Sequence, residues 1–288
     1  MQTLACLNGR FLPADEATVP IWDRGFLFGD SVYEVLRLYG GRCFIEADHR
    51  ERLARSLGEM QFDGVDLDAL WARMHATIGR SGVQEATVYI QVTRGVAPRR
   101  HAFPGPGVAP TELIVVKPYD DAETARHREV GVSVITQEDL RWGRCDVKST
   151  NLLANVLANE AAHRAGAYEA ILIGQGGVVS EATHSSLMWV RGGRLEATPE
   201  GPGILPGTTR REVLRLAEAA GIAFAESTLT VPELWSLDEL ILTGTTVEVM
   251  PVSSVDRRPI ADGRPGPITR RLQSGFRRSI ASLSEGRG

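Results

Sequence analysis

Apolar and polar positions change period several times along the chain, and each change marks an element. Leu4–Leu12 is apolar on both sides of Asn8-Gly9, a two-residue turn signal, and predicts a hairpin. Ser31–Tyr39 alternates, meets Gly40-Gly41 and resumes over Arg42–Ile45, which predicts a second hairpin. From Asp48 the period lengthens. Leu53 and Leu57 share one face, and Asp48 is placed to cap a helix running to about Met60. A further helix is predicted over Leu67–Arg80, closed by Ser81-Gly82. Ala86–Thr93 and Glu112–Lys117 read as buried strands. Between them, Arg94–Pro110 is rich in Gly, Pro, Arg and His and shows no period. A structureless connection of that length is uncommon inside a compact domain and is often functional.

The stretch from Lys117-Pro118 to Thr124 is polar and acidic and carries a breaker. It predicts a small N-terminal domain over residues 1–118, a linker over 119–124 and a larger domain over 125–288. The second part shows strand patterns near Val132–Thr136, Ala170–Ile173, Val178–Ser180, Leu187–Arg191 and Glu239–Thr243. Helical patterns lie near Leu152–Ala165, Thr209–Ala220 and Ile268–Ala281, with Gly166 and Gly221 as stops for the first two. Strands and helices do not alternate strictly, so the class is α+β rather than a doubly wound parallel sheet. No repeat or low-complexity tract interrupts the pattern.

Composition narrows the function classes. The 288 residues are 43% apolar and 24% charged, ordinary for a globular protein with a sizeable core. A net charge of −4 gives no electrostatic case for nucleic acid or an acidic membrane surface. Apolar runs such as Glu112–Val116 are strand-sized, so no transmembrane helix is expected. Met1–Pro13 has neither a basic nor an apolar stretch, so no signal peptide is expected. The three cysteines, Cys6, Cys43 and Cys145, form no CxxC, which fits a cytoplasmic location and argues against disulfides or a thiolate zinc site. The six histidines show no HxxxH or HxH pairing with acids, so no metal is expected. Among 32 basic residues only Lys117 and Lys148 are lysines. A codon bias toward Arg accounts for the ratio. Arg cannot act as an amine nucleophile, however, so a retained Lys also points to a place that needs a primary amine.

Four constellations could carry chemistry, and each has a plainer reading. Gly203-Ile-Leu-Pro-Gly-Thr-Thr209 opens the helix at 209 and offers free N–H groups and two hydroxyls, which suits a phosphate. On the residues alone, a Thr-capped helix start after a turn is the favoured reading. It is no nucleotide P-loop, because only three residues separate its glycines and Thr208 stands where that motif needs Lys. Lys148, just before the helix at 152, could form a Schiff base if burial or the neighbouring Arg141 and Arg144 lowered its pKa; a solvated surface lysine is the alternative. Glu181, between a strand and a polar turn, would matter if it faced a heterocyclic nitrogen, and is otherwise an exposed carboxylate. Arg99-Arg100-His101 reads as a receptor for an acid, or as a charged surface loop.

Together these segments resemble the fold-type IV pyridoxal-phosphate enzymes, the group of branched-chain and D-amino acid transaminases, and within it the bacterial D-specific branch. The likeness is carried by Glu138-Asp-Leu-Arg-Trp-Gly-Arg-Cys-Asp-Val-Lys-Ser-Thr-Asn-Leu-Leu-Ala154 running on to Tyr168–Leu172, and by Tyr89–Pro104 with its Arg99-Arg-His101. Asp23–Val35, Leu205–Arg210 and Leu242–Glu248 add to it in the family's order over nearly the whole chain. The resemblance implies a two-domain α+β fold, with a small N-terminal α/β domain and a larger, β-barrel-like C-terminal α+β domain.

It also implies roles. Lys148 carries the internal aldimine of pyridoxal 5'-phosphate and shuttles the proton. Glu181 pairs with the pyridine nitrogen. Arg52, Gly207, Thr208, Thr209 and Thr245 hold the phosphate, and Leu205 supports the ring. Tyr33, Arg99 and His101 form the carboxylate trap of the D-specific branch, with Arg99 and His101 acting across a homodimer interface. His49 matches a histidine behind the site. The implied reaction moves an amino group from D-alanine or D-glutamate to 2-oxoglutarate or pyruvate. Branched-chain L-amino acid transaminase, (R)-amine transaminase and aminodeoxychorismate lyase are the alternatives, and the trap disfavours them. Two departures stand out: His184 and Ser186 replace a serine and an asparagine of the family's turn, and Gly244 replaces a serine. The expected consequence is a cofactor held less tightly.

Overall fold

The computed structural model describes residues 3–284. The chain forms two units, one of residues 1–120 with 147–151, the other of residues 121–146 with 152–288. The expected linker at 119–124 meets the first of these junctions. The return of Val147–Asn151 to the first unit has no counterpart in the expected domain limits, because no break in composition marks a five-residue strap.

In the first unit, the two turn signals make the hairpins β1 (Leu4–Leu7) with β2 (Arg10–Pro13), and β3 (Ser31–Tyr39) with β4 (Arg42–Cys43). Between them lies the short helix α1 (Arg24–Phe28), whose first turn is capped by Asp23 accepting from Gly25 N at 2.8 Å. Helix α2 (Glu46–Glu59) starts earlier than expected: Ile45 takes a left-handed turn (φ 43°) and cuts β4 short. Asp48 is therefore inside the first turn rather than at the cap, where its charge still favours the helix dipole. Helix α3 (Leu67–Ser81) starts under an Asp66 cap and ends at Gly82, φ 63°. Strands β5 (Ala86–Thr93) and β6 (Thr111–Pro118) complete an antiparallel sheet of order β2-β1-β6-β5-β3-β4. Its core packs Val32, Leu36, Leu38, Val88 and Ile90 with Leu53, Leu57, Leu70 and Met74 of the helices. The two-residue period of β3 puts Glu34 on that buried face and Tyr33 on the other.

The segment 94–110 forms no helix or strand of its own. Its ends are drawn together instead. Asp23 Oδ2 accepts from Thr93 Oγ1 at 3.0 Å and from Thr111 Oγ1 at 2.7 Å. Gly95 (φ +88°) passes so close to Ala109 that a Cβ would sit 2.1 Å from its carbonyl oxygen. Gly95→Ala is therefore expected to destabilise the protein by about 2 kcal/mol or more, read as a fall in denaturant midpoint at unchanged m-value.

The second unit opens with helix α4 (Ala122–Val130), which has no buried residue and hence no apolar stripe to announce it. Strand β7 (Val132–Glu138), helix α5 (Leu153–Arg164), and strands β8 (Glu169–Ile173), β9 (Val179–Ala182), β10 (Ser186–Arg191) and β11 (Arg194–Ala197) follow. Helix α6 (Thr208–Ala219), β12 (Phe224–Glu226), β13 (Glu239–Gly244), β14 (Glu248–Val255), β15 (Arg258–Pro259) and helix α7 (Pro267–Ser284) complete it. The sequence pattern hides β14 because Pro251 interrupts it. The strand forms because β13 and β7 pair with its two sides, with a register shift between Val252 and Ser254.

The sheet order is β12-β11-β10-β13-β14-β7-β8-β9, with β15 on β14. Strands β9 and β10 stand five steps apart in that order, about 24 Å across a flat sheet. Only Thr183, His184 and Ser185 join them, a link of about 14 Å at full stretch. The sheet must curl to bring these strands together, which gives the unit its barrel-like form and fixes Glu181 beside the closing turn.

Candidate active site

Lys148 sits on the strap 147–151, which runs along β3. Tyr33 N donates to Lys148 O at 2.9 Å, Thr150 N to Ser31 O at 3.2 Å, and Lys148 N to Ser56 Oγ at 3.2 Å. The half-buried side chain lies over Tyr33, with Nζ 4.4 Å from the ring centre and 3.4 Å from Oη. Tyr33 in turn stacks on Tyr89 with ring centres 5.6 Å apart. The structure thus joins two of the residues singled out from sequence, and it holds the amine by backbone pairing rather than by a flexible loop.

Arg52 and His49 leave α2 toward the buried face of β3 and meet Glu34. Arg52 donates from Nε at 2.7 Å and from Nη2 at 2.9 Å, and His49 Nδ1 lies 2.8 Å from the same carboxylate. Burial opposes charge on Glu34, but the Arg52 charge and hydrogen bonds outweigh it and hold the carboxyl well below the usual range. Burial pushes His49 below its ordinary 6.5, against the pull of Glu34. Both shifts act in one direction on stability. A histidine neutral when folded loses ground as pH falls below 6.5, since the unfolded chain takes up its proton first. Glu34 adds stability that is present above its unfolded pKa and lost as pH falls toward its folded one. Between pH 7 and 5, stability is expected to fall by up to about 1.4 kcal/mol per pH unit through His49. His49→Gln is expected to flatten that interval in chemical denaturation.

In the second unit, Glu181 on β9 is buried and paired with Arg141. Arg141 also donates to Asp139 (2.9 and 2.7 Å) and to Gly203 O at 3.1 Å. Arg144 pairs with Asp146 at 3.0 Å. Both arginines considered as neighbours for Lys148 are thus engaged by carboxylates of their own unit. Leu205 N lies 3.4 Å from both Glu181 oxygens. Two residues on, Gly207 starts α6 with no side-chain cap, and Thr208 and Thr209 are buried in its first turn. A Cβ on Gly207 would come 2.5 Å from Ser186 Oγ. Thr243, opposite Ser186 in register, has a buried hydroxyl without a partner, and so has Arg210 Nε. Thr245 lies in the turn after β13, where Gly244 faces Ser185. Buried Glu169, which the sequence reading passed over, holds this neighbourhood: it accepts from His184 N at 2.6 Å, Ser185 N at 3.0 Å and Ser185 Oγ at 2.8 Å.

Arg99 and His101 are both exposed and both rest on Phe28, the guanidinium carbon 5.2 Å and the imidazole 5.5 Å from its ring centre. The guanidinium and the imidazole are both open to an incoming anion. Among the described residues no cluster of His, Cys, Asp and Glu could hold a metal ion.

The family described as amino-transferase class IV matches residues 31–255. The chain belongs to the class IV aminotransferases. Within this class it is 41% identical over 287 residues to the D-alanine aminotransferase of Staphylococcus haemolyticus, covering 98% of this chain and 99% of that one. It is 40% identical over 279 residues to that of Bacillus licheniformis, covering 96% of each. Its fold matches the branched-chain amino acid aminotransferase of Escherichia coli with a TM-score of 0.88 at 26% identity, covering 95% of this chain and 93% of that one. A T.th. branched-chain amino acid aminotransferase, solved with pyridoxamine 5'-phosphate, also gives 0.88 at 26% identity, covering 100% and 96%. The two-unit α+β fold of this class IV aminotransferase is that expected from sequence.

Proposed function

We propose that the chain is a pyridoxal 5'-phosphate-dependent D-amino acid transaminase, moving an amino group from D-alanine or D-glutamate to 2-oxoglutarate or pyruvate. The observation that carries the D-acid reading is the Arg99–His101 pair, both resting on Phe28 with their polar ends exposed. A guanidinium grips a carboxylate through two parallel hydrogen bonds, and the imidazole adds a third donor. End-to-end likeness to D-alanine aminotransferases supports the same reading.

The residues present fit the cofactor. The start of α6, where Gly207 gives no side-chain cap, offers its N–H groups and the buried Thr208 and Thr209 to an anion. Glu181 is a buried carboxylate paired with Arg141, an acceptor that suits a protonated ring nitrogen. Lys148 offers a half-buried primary amine. When bound, the group supplies an electron sink that makes the substrate's Cα proton acidic.

We assign Lys148 Nζ to attach the cofactor and to move the Cα proton, with Tyr33 Oη orienting it. Gly207, Thr208, Thr209 and Thr245 are assigned to the phosphate, Leu205 to the ring face and Glu181 to the ring nitrogen. Arg52 is assigned to the phosphate too, its fork fixed by Glu34. Tyr33, Arg99 and His101 are assigned to the substrate carboxylate, and the side on which they hold it sets which enantiomer turns its Cα–H toward Lys148. His184 and Gly244 supply no serine hydroxyl at their positions, which keeps weaker cofactor retention as part of the proposal.

A homodimer is part of the reading. The first unit exposes Ile21, Trp22, Phe26 and Phe103, and the second exposes Leu153, Val156 and Leu157 on one face of α5. Exposed Arg99 and His101 are then available to the partner copy. No helix among the described residues is long and apolar enough to cross a membrane. A cytoplasmic location is part of the proposal, in keeping with three unpaired cysteines.

The test is product chirality. With D-alanine and 2-oxoglutarate, the expected products are pyruvate and D-glutamate, read by chiral chromatography. L-Glutamate formed from L-leucine instead would move the chain to the branched-chain class.

A further inference from the structure

We infer that α1 is the seat of the acid trap: Arg24 and Phe28 are positioning residues that fix Arg99 and His101 and so set affinity for the substrate's carboxylate. The inference rests on the D-acid reading and goes past it, since neither residue is assigned to the site.

The segment 94–110 has no ladder or helix to order it, yet its carbonyls converge on one buried guanidinium. Arg24, 3% exposed, donates from Nη1 to Arg100 O at 2.6 Å and Ala102 O at 3.3 Å, and from Nη2 to His101 O at 3.4 Å. Its Nε is held by Asp30 at 2.7 Å. Asp30 also receives Arg94 Nε at 2.9 Å, and Arg94 donates onward to Gln61 O at 2.9 Å and Met60 O at 2.6 Å, just past α2. Asp30 is thus shared between two guanidiniums, and the other acceptors of Arg24 are uncharged carbonyls. What Arg24 adds to the trap is position, through three consecutive carbonyls that flank the His101 side chain.

Phe28, one turn along α1, acts on the side chains. Its ring meets Arg24 at 4.8 Å, Arg99 at 5.2 Å and His101 at 5.5 Å. Arg99 is long and exposed, and without this ring it would sample many rotamers and lose binding free energy to ordering. A cation over an aromatic face restricts that sampling while leaving the N–H edge of the guanidinium free.

The experiment compares Arg24→Lys, which keeps the charge and loses the forked grip, and Phe28→Leu, which keeps apolar bulk and loses the ring. Arg99→Ala is the control for the D-acid reading. KM and kcat are measured with D-alanine, and affinity for D-alaninamide, which lacks the carboxylate charge, is measured as KM or competitive Ki. Both variants are expected to raise KM for D-alanine about tenfold, with kcat within about twofold and D-alaninamide affinity unchanged. Phe28 is only half-buried, so Phe28→Leu carries the test if Arg24→Lys fails to fold. An unchanged KM for D-alanine in the folded variants, with Arg99→Ala raising it, overturns the inference and leaves the D-acid reading standing. Equal losses for D-alanine and D-alaninamide overturn it as well, because they indicate general damage. An unchanged KM in Arg99→Ala overturns the D-acid reading itself, and the seat with it.

Discussion

Lys148→Ala is expected to remove transamination, lowering kcat by about 10⁴-fold or more, and to remove the visible absorbance of the lysine-attached cofactor. The proposed roles of Lys148, attachment and proton transfer, both need the amine. The structure makes this substitution clean. The strap is held by backbone bonds from Tyr33 N to Lys148 O and from Lys148 N to Ser56 Oγ, which alanine preserves. The side chain is half-buried against Tyr33, so little packing is lost. Thermal stability of the cofactor-free protein is expected to change by less than about 1 kcal/mol. Lys117, the other lysine, is exposed at the end of β6, and Lys117→Ala is expected to leave turnover unchanged. Visible absorbance retained in Lys148→Ala would remove Lys148 from its assigned role.

Arg99→Ala is expected to raise KM for D-alanine by about 10²-fold, with cofactor retention unchanged. Losing one partner of a charge-assisted pair removes about 2–3 kcal/mol of binding. Arg99 is exposed and rests on the half-buried Phe28 ring, so the substitution leaves the core intact. Arg99→Lys is expected to recover only part of the affinity, because an ammonium cannot reproduce the two parallel N–H bonds of the fork. A large loss in kcat at unchanged KM would contradict a role in binding the acid.

Both hairpins, α3, β5 and β6 were legible from the chain because turn residues and period agree there. Asn8-Gly9, Gly40-Gly41 and Gly82 each stand where a left-handed backbone ends an element. The start of α2 was not, because an Ile in the left-handed region leaves no propensity signal. Helix α4 lacks an apolar stripe, and β14 carries a proline that only pairing with two neighbours overcomes. Among the site residues, Lys148 was marked by the scarcity of lysine and by its motif. The charged residues that hold the site were harder to find. Glu34 occupies an inward position of an alternating strand, a signal present in the sequence that calls for a buried cation. Arg24 and Glu169 carry no such mark: their partners include backbone groups of residues 100–102 and 184–185, which only the folded chain brings to them.

The most direct measurement is the half-reaction spectrum. The holoenzyme is mixed separately with D-alanine, L-leucine and (R)-1-phenylethylamine, with no 2-oxo acid present, and its visible band is followed through a single turnover. The band is expected to be lost with D-alanine and kept with the other two. Loss with L-leucine and not with D-alanine would contradict the D-side trap, and the assignment of Arg99 and His101 would fall with it.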